Sequence, residues 1–186
     1  MCNKSAVSFV YNLETMLTNT KYNFLVQQYR NGVYTYSFYM LKNRMDADDV
    51  TQEVLIRIWK NMNKFKLLSA KSWIMKTTHN LCLDFLRRRK KELEKNPYST
   101  EDILEYTTDK QSEDPVMLTE NKINDTKVKE AIKKLPEKIR SVFVLYEIDG
   151  MKYKEISKVL DLPINSVKVY ILRARKKLQN ELQLLR

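Results

Sequence analysis

A chain of 186 residues holds one medium domain or two small ones, and 43% apolar residues are enough to fill a core, which excludes wholesale disorder. Only two glycines occur, Gly32 and Gly150, too few for the tight turns of an all-β chain, so the composition points to helices. The net charge of +11 is unevenly placed, at +10 over residues 1–91, −7 over 92–126 and +8 over 127–186, as if two bodies suited to a polyanion were joined by a segment that avoids it.

A merely solvated basic surface would account for the total charge but not for its partition. Cys2 and Cys82 are too few for a disulfide framework and lack metal-ligand spacing, so a reduced cytoplasmic chain with no cofactor or metal is expected. No apolar run approaches the roughly 20 residues of a bilayer span. The opening residues MCNKSAVSFVYNLETM lack a signal-peptide core, so no direct membrane insertion is expected.

In chain order, YNFLVQQYRNGVYTYSFYML has a tyrosine-rich helical pattern with a break or kink expected near Gly32. The next helix is expected to open on Asp46 as N-cap, with Asp48 and Asp49 in the first turn, where the helix dipole favours carboxylates. Behind it Val50, Val54, Leu55, Ile58 and Met62 recur at helical spacing. A polar turn, NKFKLLSAKS, leads into WIMKTTHNLCLDFLRRRKK. There Ile74, Thr78, Leu81 and Phe85 make one stripe for burial, while Lys76, Asn80, Asp84, Arg87 and Arg88 lie off it. Residues 92–126 carry Pro97 and Pro115, show little helical periodicity, and read as a flexible acidic linker.

The remainder reads as four short helices, near 126–134, 137–147, 153–160 and 164–183, with Pro136 and Pro163 suited to first turns. Only DLPI separates the last two, which is the outline of a helix-turn-helix. On the final helix Ile164, Val167, Ile171, Ala174 and Leu178 gather on one side and should pack against Ile156, Val159 and Leu160. The outward set is Asn165, Val169, Leu172, Arg173 and Lys176. Ser166, Tyr170 and Lys177 lie on one flank, Lys168 and Arg175 on the other. A major groove can use this mixture, because Asn pairs with adenine, Arg with guanine, apolar atoms meet the thymine methyl and flanking cations take phosphates. Taken alone, a solvated cationic helix end favoured by the dipole explains Arg173 to Lys177 about equally well.

The segment LPEKIRSVFVLYEIDGMKYKEISKVLDLPINSVKVYILRARKKL resembles the C-terminal DNA-binding region of bacterial RNA polymerase sigma factors. DADDVTQEVLIRIWKNMNKF, followed by AKSWIMKTTHNLCLDFLRRRKK, resembles the polymerase-binding and promoter-melting region of the same proteins. Both matches, in this order across a variable linker, resemble the extracytoplasmic-function (ECF) group. The pattern EIDGMKYKEIS…LPINSVKVYILRARKKL is similar to its Bacteroidetes-type members.

The resemblance implies an all-α, non-catalytic protein. Two small helical domains, 1–91 and 127–186, would be joined by the linker 92–126. Asp46, Asp48, Asp49, Gln52, Glu53 and Arg57 would meet core RNA polymerase at the clamp helices of its largest subunit, with the flap of the second-largest subunit as a further contact. Lys64, Phe65, Lys66, Trp73, Lys76, Asn80, Arg87 and Arg88 would capture the minus-ten strand, through stacking surfaces and a cationic track to which Lys71 also belongs. For Trp73, core packing is the commoner use. Lys154, Asn165, Ser166, Lys168, Val169, Tyr170, Leu172, Arg173 and Lys176 would read the minus-thirty-five element as duplex, with Lys158 as a further phosphate contact. Promoter DNA and an anti-sigma protein, often membrane-anchored, are the other implied partners.

Two departures stand out. Asp161 occupies the turn position where the family usually has Gly, and Asp tolerates left-handed geometry better than most residues. Val169, Tyr170 and Leu172 replace commoner polar residues, so base preference does not carry over. Two other functions compete with this reading. A stand-alone helix-turn-helix regulator leaves the first block without a role. A nuclease built on His79, Asp84 and the acidic triplet has one histidine, no metal-ligand pair and no phosphate-cradling glycine loop.

Overall fold

The computed structural model describes residues 4–62, 67–95 and 120–183, and among these every regular element is helical. Helix α1, Lys4–Leu41, passes through Gly32 without a break. One glycine inside a helix costs only roughly 0.5–1 kcal/mol relative to alanine, and the buried face of Leu25, Val33, Tyr36 and Met40 carries the helix across. The expected kink is therefore absent. α1 stops where Lys42 turns left-handed (φ 61°) and donates its N–H to the Phe38 carbonyl at 2.8 Å.

Helix α2, Arg44–Lys60, is capped by Asn43 rather than Asp46: Asn43 Oδ1 accepts the backbone N–H of Asp46 at 3.0 Å. Asp46 sits one turn inside, in the dipole-favoured first turn. Ala47, Val50, Thr51, Val54, Ile58 and Met62 are buried, and Leu55 only partly. Helix α3, Leu67–Lys95, buries Ala70, Ile74, Met75, Thr78, Leu81 and Cys82, a wider stripe than expected, with Phe85 at its margin. Burial pushes the Cys82 thiol up to about 12.

The second block opens with α4, Glu120–Lys134, several residues earlier than expected. Pro136 caps α5, Glu137–Phe143, which runs on into a π-helical turn, Val144–Ile148. Helices α6, Tyr153–Leu160, and α7, Ile164–Gln183, follow. Residues 92–95 and 120–126 are thus helical, which trims the expected linker at both ends; the rest of it lies outside the described residues.

The two blocks dock. Buried side chains of α1–α3 and α4–α7 form one continuous hydrophobic core, and α3 lies against α6. Arg140 of α5 is buried in the seam, donating to the carbonyls of Lys133 (2.9 Å), Leu135 (2.8 Å) and, across the blocks, Met40 (3.3 Å). The Met40 carbonyl belongs to the last turn of α1, where no intrahelical donor remains, so the guanidinium satisfies an orphan group. Lys133 lies 4.7 Å from the Phe38 ring centroid, a second cationic tie between the blocks. Among the described residues no helix is long and apolar enough to cross a membrane, and no His, Cys, Asp and Glu cluster could hold a metal ion.

Candidate nucleic-acid interface

The helix-turn-helix is built by α6, the turn at Asp161–Pro163, and α7. Glu155 accepts the Lys152 backbone N–H at 2.8 Å, fixing the start of α6. At its end Asp161 adopts the left-handed conformation expected of it (φ 52°, ψ 44°). Ser157 holds the turn from both sides: its carbonyl accepts the Leu162 N–H at 3.0 Å and its hydroxyl donates to the Leu162 carbonyl. α7 then buries Val167, Ile171, Ala174 and Leu178 against Ile156 and Val159. Ile164, expected in this stripe, is 37% exposed, because it is the first residue of the helix and stands at the edge of the packed face.

The outward face of α7 carries Asn165, Val169, Leu172, Arg173 and Lys176, all exposed, with Lys168 beside them and Ser166 and Tyr170 half-buried. Leu172 is 69% exposed and Val169 43%. Among the described residues no ion pair engages Lys168, Arg173 or Lys176. Lys154 and Lys158 on α6 are also exposed. Arg175 is not part of this cationic set: it donates to Glu147 at 2.7 and 2.9 Å and lies over the Tyr146 ring, which stacks on Tyr153.

On α3, Lys76, Asn80 and Arg87 recur at i, i+4 and i+11 and so share a face. Asn80 and Arg88 are exposed, and Arg87 pairs with Asp84 at 3.1 Å. Trp73 is half-buried and packs on the core, its commoner role. Lys76 does not point to open solvent: its Nζ donates to both carboxylate oxygens of Asp161 at 2.9 Å. Lys71, in the same track, donates to the Asp149 carbonyl at 2.7 Å and lies 3.1 Å from its carboxylate. Lys64, Phe65 and Lys66 lie outside the described residues.

A third surface lies on α2. Asp48, Asp49 and Gln52 are exposed, Glu53 pairs with Arg57 at 2.8 Å, and half-buried Asp46 lies 3.9 Å from Arg89. Burial holds the Asp46 carboxyl above its ordinary range, against the pull of Arg89. Sequence reasoning missed three apolar neighbours on this face. Met45, Ile56 and Trp59 are exposed, the last two at 46%, and with Asp49 and Gln52 they form a ridge spaced by three and four residues. Trp59 is steadied edge-on by Tyr22 at 5.1 Å. The signal was available: large apolar residues out of phase with Val50, Val54 and Ile58 belong to a second face.

Residues 25–92 match the family described as Sigma-70 region 2, and residues 125–178 match Sigma-70, region 4. Over 166 residues the chain is 31% identical to the ECF RNA polymerase sigma factor SigW of Bacillus subtilis (strain 168), covering 86% of this chain and 87% of that one. Its fold is similar to that of the sigma factor RpoE from Bartonella quintana, solved in complex with the anti-sigma factor NepR. That likeness has a TM-score of 0.69 at 18% identity, over 87% of this chain and 96% of that one. It is also similar to CnrH, solved with the cytosolic domain of CnrY, with a TM-score of 0.61 at 20% identity, over 91% and 96% of the two chains.

Proposed function

Because the chain belongs to the ECF RNA polymerase sigma factors, we propose that it binds core RNA polymerase and directs it to promoters, reading the minus-ten element with residues 1–91 and the minus-thirty-five element with residues 127–186. In this reading the segment between α3 and α4 is the tether. The observation that carries it is the presence, on one chain, of two exposed partner faces of different chemistry.

The α7 face offers an amide, two cations and two large apolar side chains that no partner among the described residues covers, which suits base edges and thymine methyls in a major groove. Lys154, Lys158 and Lys168 flank it as phosphate contacts. The α2 ridge suits a helical partner. Met45, Ile56 and Trp59 supply the anchors, while Asp48, Asp49 and Gln52 orient a basic surface such as the clamp helices of the largest polymerase subunit. On α3, Asn80, Arg87 and Arg88 track a displaced single strand.

Two relatives of similar fold were solved with anti-sigma proteins, and a protein of that kind is the regulator proposed for this chain. The test is run-off transcription with purified core polymerase on a promoter library. Promoter-dependent initiation that requires this chain supports the reading, and its absence on every promoter refutes it.

A further inference from the structure

Resting on the promoter reading above, we infer that Val169 and Leu172 are specificity residues of α7, reading the 5-methyl groups of two neighbouring thymines in the minus-thirty-five element. Both side chains stand on the outward ridge of the helix, 43% and 69% exposed. Three residues apart, they are separated by roughly 4.5 Å along the helix axis. Base pairs in a duplex rise by about 3.4 Å, so side chains at this spacing can meet adjacent pairs.

A solvated helix face has no need of this pair. The packed side of α7 is complete without it, with Val167, Ile171, Ala174 and Leu178 buried. A lone exposed apolar residue is ordinary on a protein surface, but these two share one ridge with Asn165 and Lys176. Val169 is also β-branched, which gives it a lower helix propensity than Lys, Arg or Gln at an exposed interior position. The same branching restricts its χ1 angle, so its methyl groups meet a ligand with little rotamer freedom left to lose.

The surroundings select duplex DNA as the occupant rather than a protein or a lipid surface. Lys168, Arg173 and Lys176 are exposed around the pair, and Lys154 and Lys158 on α6 add two further cations. Such a rim suits a polyanion, and a duplex is a polyanion whose major groove carries apolar groups, the thymine methyls. Cytosine offers an amino donor there and no methyl, so an aliphatic side chain strips that donor of water without replacing its hydrogen bond. The ridge thus discriminates by residue type: Asn165 suits adenine, Arg173 guanine, and Val169 and Leu172 thymine.

Replacing thymine by uracil tests this, because it removes the methyl and keeps the Watson–Crick pair. The probe is a promoter used by core polymerase carrying the full chain, remade with deoxyuridine at one minus-thirty-five position at a time. Two neighbouring positions should each lose about fourfold in holoenzyme binding. Leu172→Ala should cancel the uracil penalty at one of them and Val169→Ala at the other. Both side chains are exposed, so truncation leaves the core intact. At the same positions 5-methylcytosine should recover part of the loss caused by cytosine. Equal binding to thymine and uracil templates, or a uracil penalty unchanged in both alanine variants, overturns the inference and leaves the promoter-reading function standing. Absence of promoter-dependent initiation on every thymine-bearing template overturns both.

Discussion

The Tyr36 hydroxyl and Nδ1 of His79 lie 2.8 Å apart and share a hydrogen bond, joining α1 to α3 beneath the helix-turn-helix. Burial lowers the His79 pKa to about 4, with Asp161 pulling it up and Arg87 and Lys76 pushing it down. The folded imidazole is therefore neutral at pH 7, while the unfolded one titrates near 6.5. A histidine whose folded pKa is depressed leaves stability complete above about pH 6.5 and removes it as pH falls toward 4, because only the unfolded chain takes the proton. Unfolding free energies from urea titrations across that window should fall, by on the order of 1–3 kcal/mol. Asp149 and Asp46, raised by burial, change in the opposite sense as pH rises past the ordinary carboxylate range. The difference between wild type and His79→Gln isolates the histidine, and an identical pH slope in both would contradict its burial as a neutral base.

Arg140 serves three carbonyls from inside the seam. Arg140→Met keeps much of the volume and strands all three, so urea denaturation should show a loss of about 1–3 kcal/mol. Arg140→Lys should recover little, because one ammonium cannot reproduce the planar fork. A fully stable lysine variant would show that the charge alone matters.

Trp59→Ala and Ile56→Ala remove exposed anchors from the α2 ridge. Each should weaken the competition of this chain for core polymerase about tenfold or more. Thermal midpoints should move by only a few degrees. Unchanged competition would assign the ridge to another partner.

On DNA the two arginines should behave differently. Arg173→Ala, on the exposed side of α7 proposed to enter the groove, should reduce use of some promoters far more than others. Arg88→Ala should weaken all promoters alike and lower the salt dependence of binding by about one counterion. Equal losses on every sequence from both changes would remove the distinction.

Sequence periodicity foretold the parts of this fold governed by local rules. The α6 and α7 boundaries and the stripe Val167, Ile171, Ala174 and Leu178 follow from spacing and turn residues, whereas the left-handed Asp161 is implied by the family resemblance. It misplaced features decided by competition between neighbours. Asn43 and Asp46 both suit a cap, and the one that begins the buried register prevails. Gly32 breaks a helix only where packing is weak, and here Val33 and Tyr36 are fully buried beside it. Docking left little mark on the pattern, because Lys71, Lys76, Asp149 and Asp161 look like ordinary solvated charges until two distant segments meet.

The seam between the blocks also bears on how the chain behaves once parted. Its rim is ionic, with Lys71, Lys76, Asp149 and Asp161, and a guanidinium lies within it. Water readily rehydrates such groups, whereas a wholly aliphatic face would seek another chain on exposure. Beneath that rim, however, the blocks share buried apolar side chains, so parting them would bare apolar surface together with the charges, and the bared faces would need new partners.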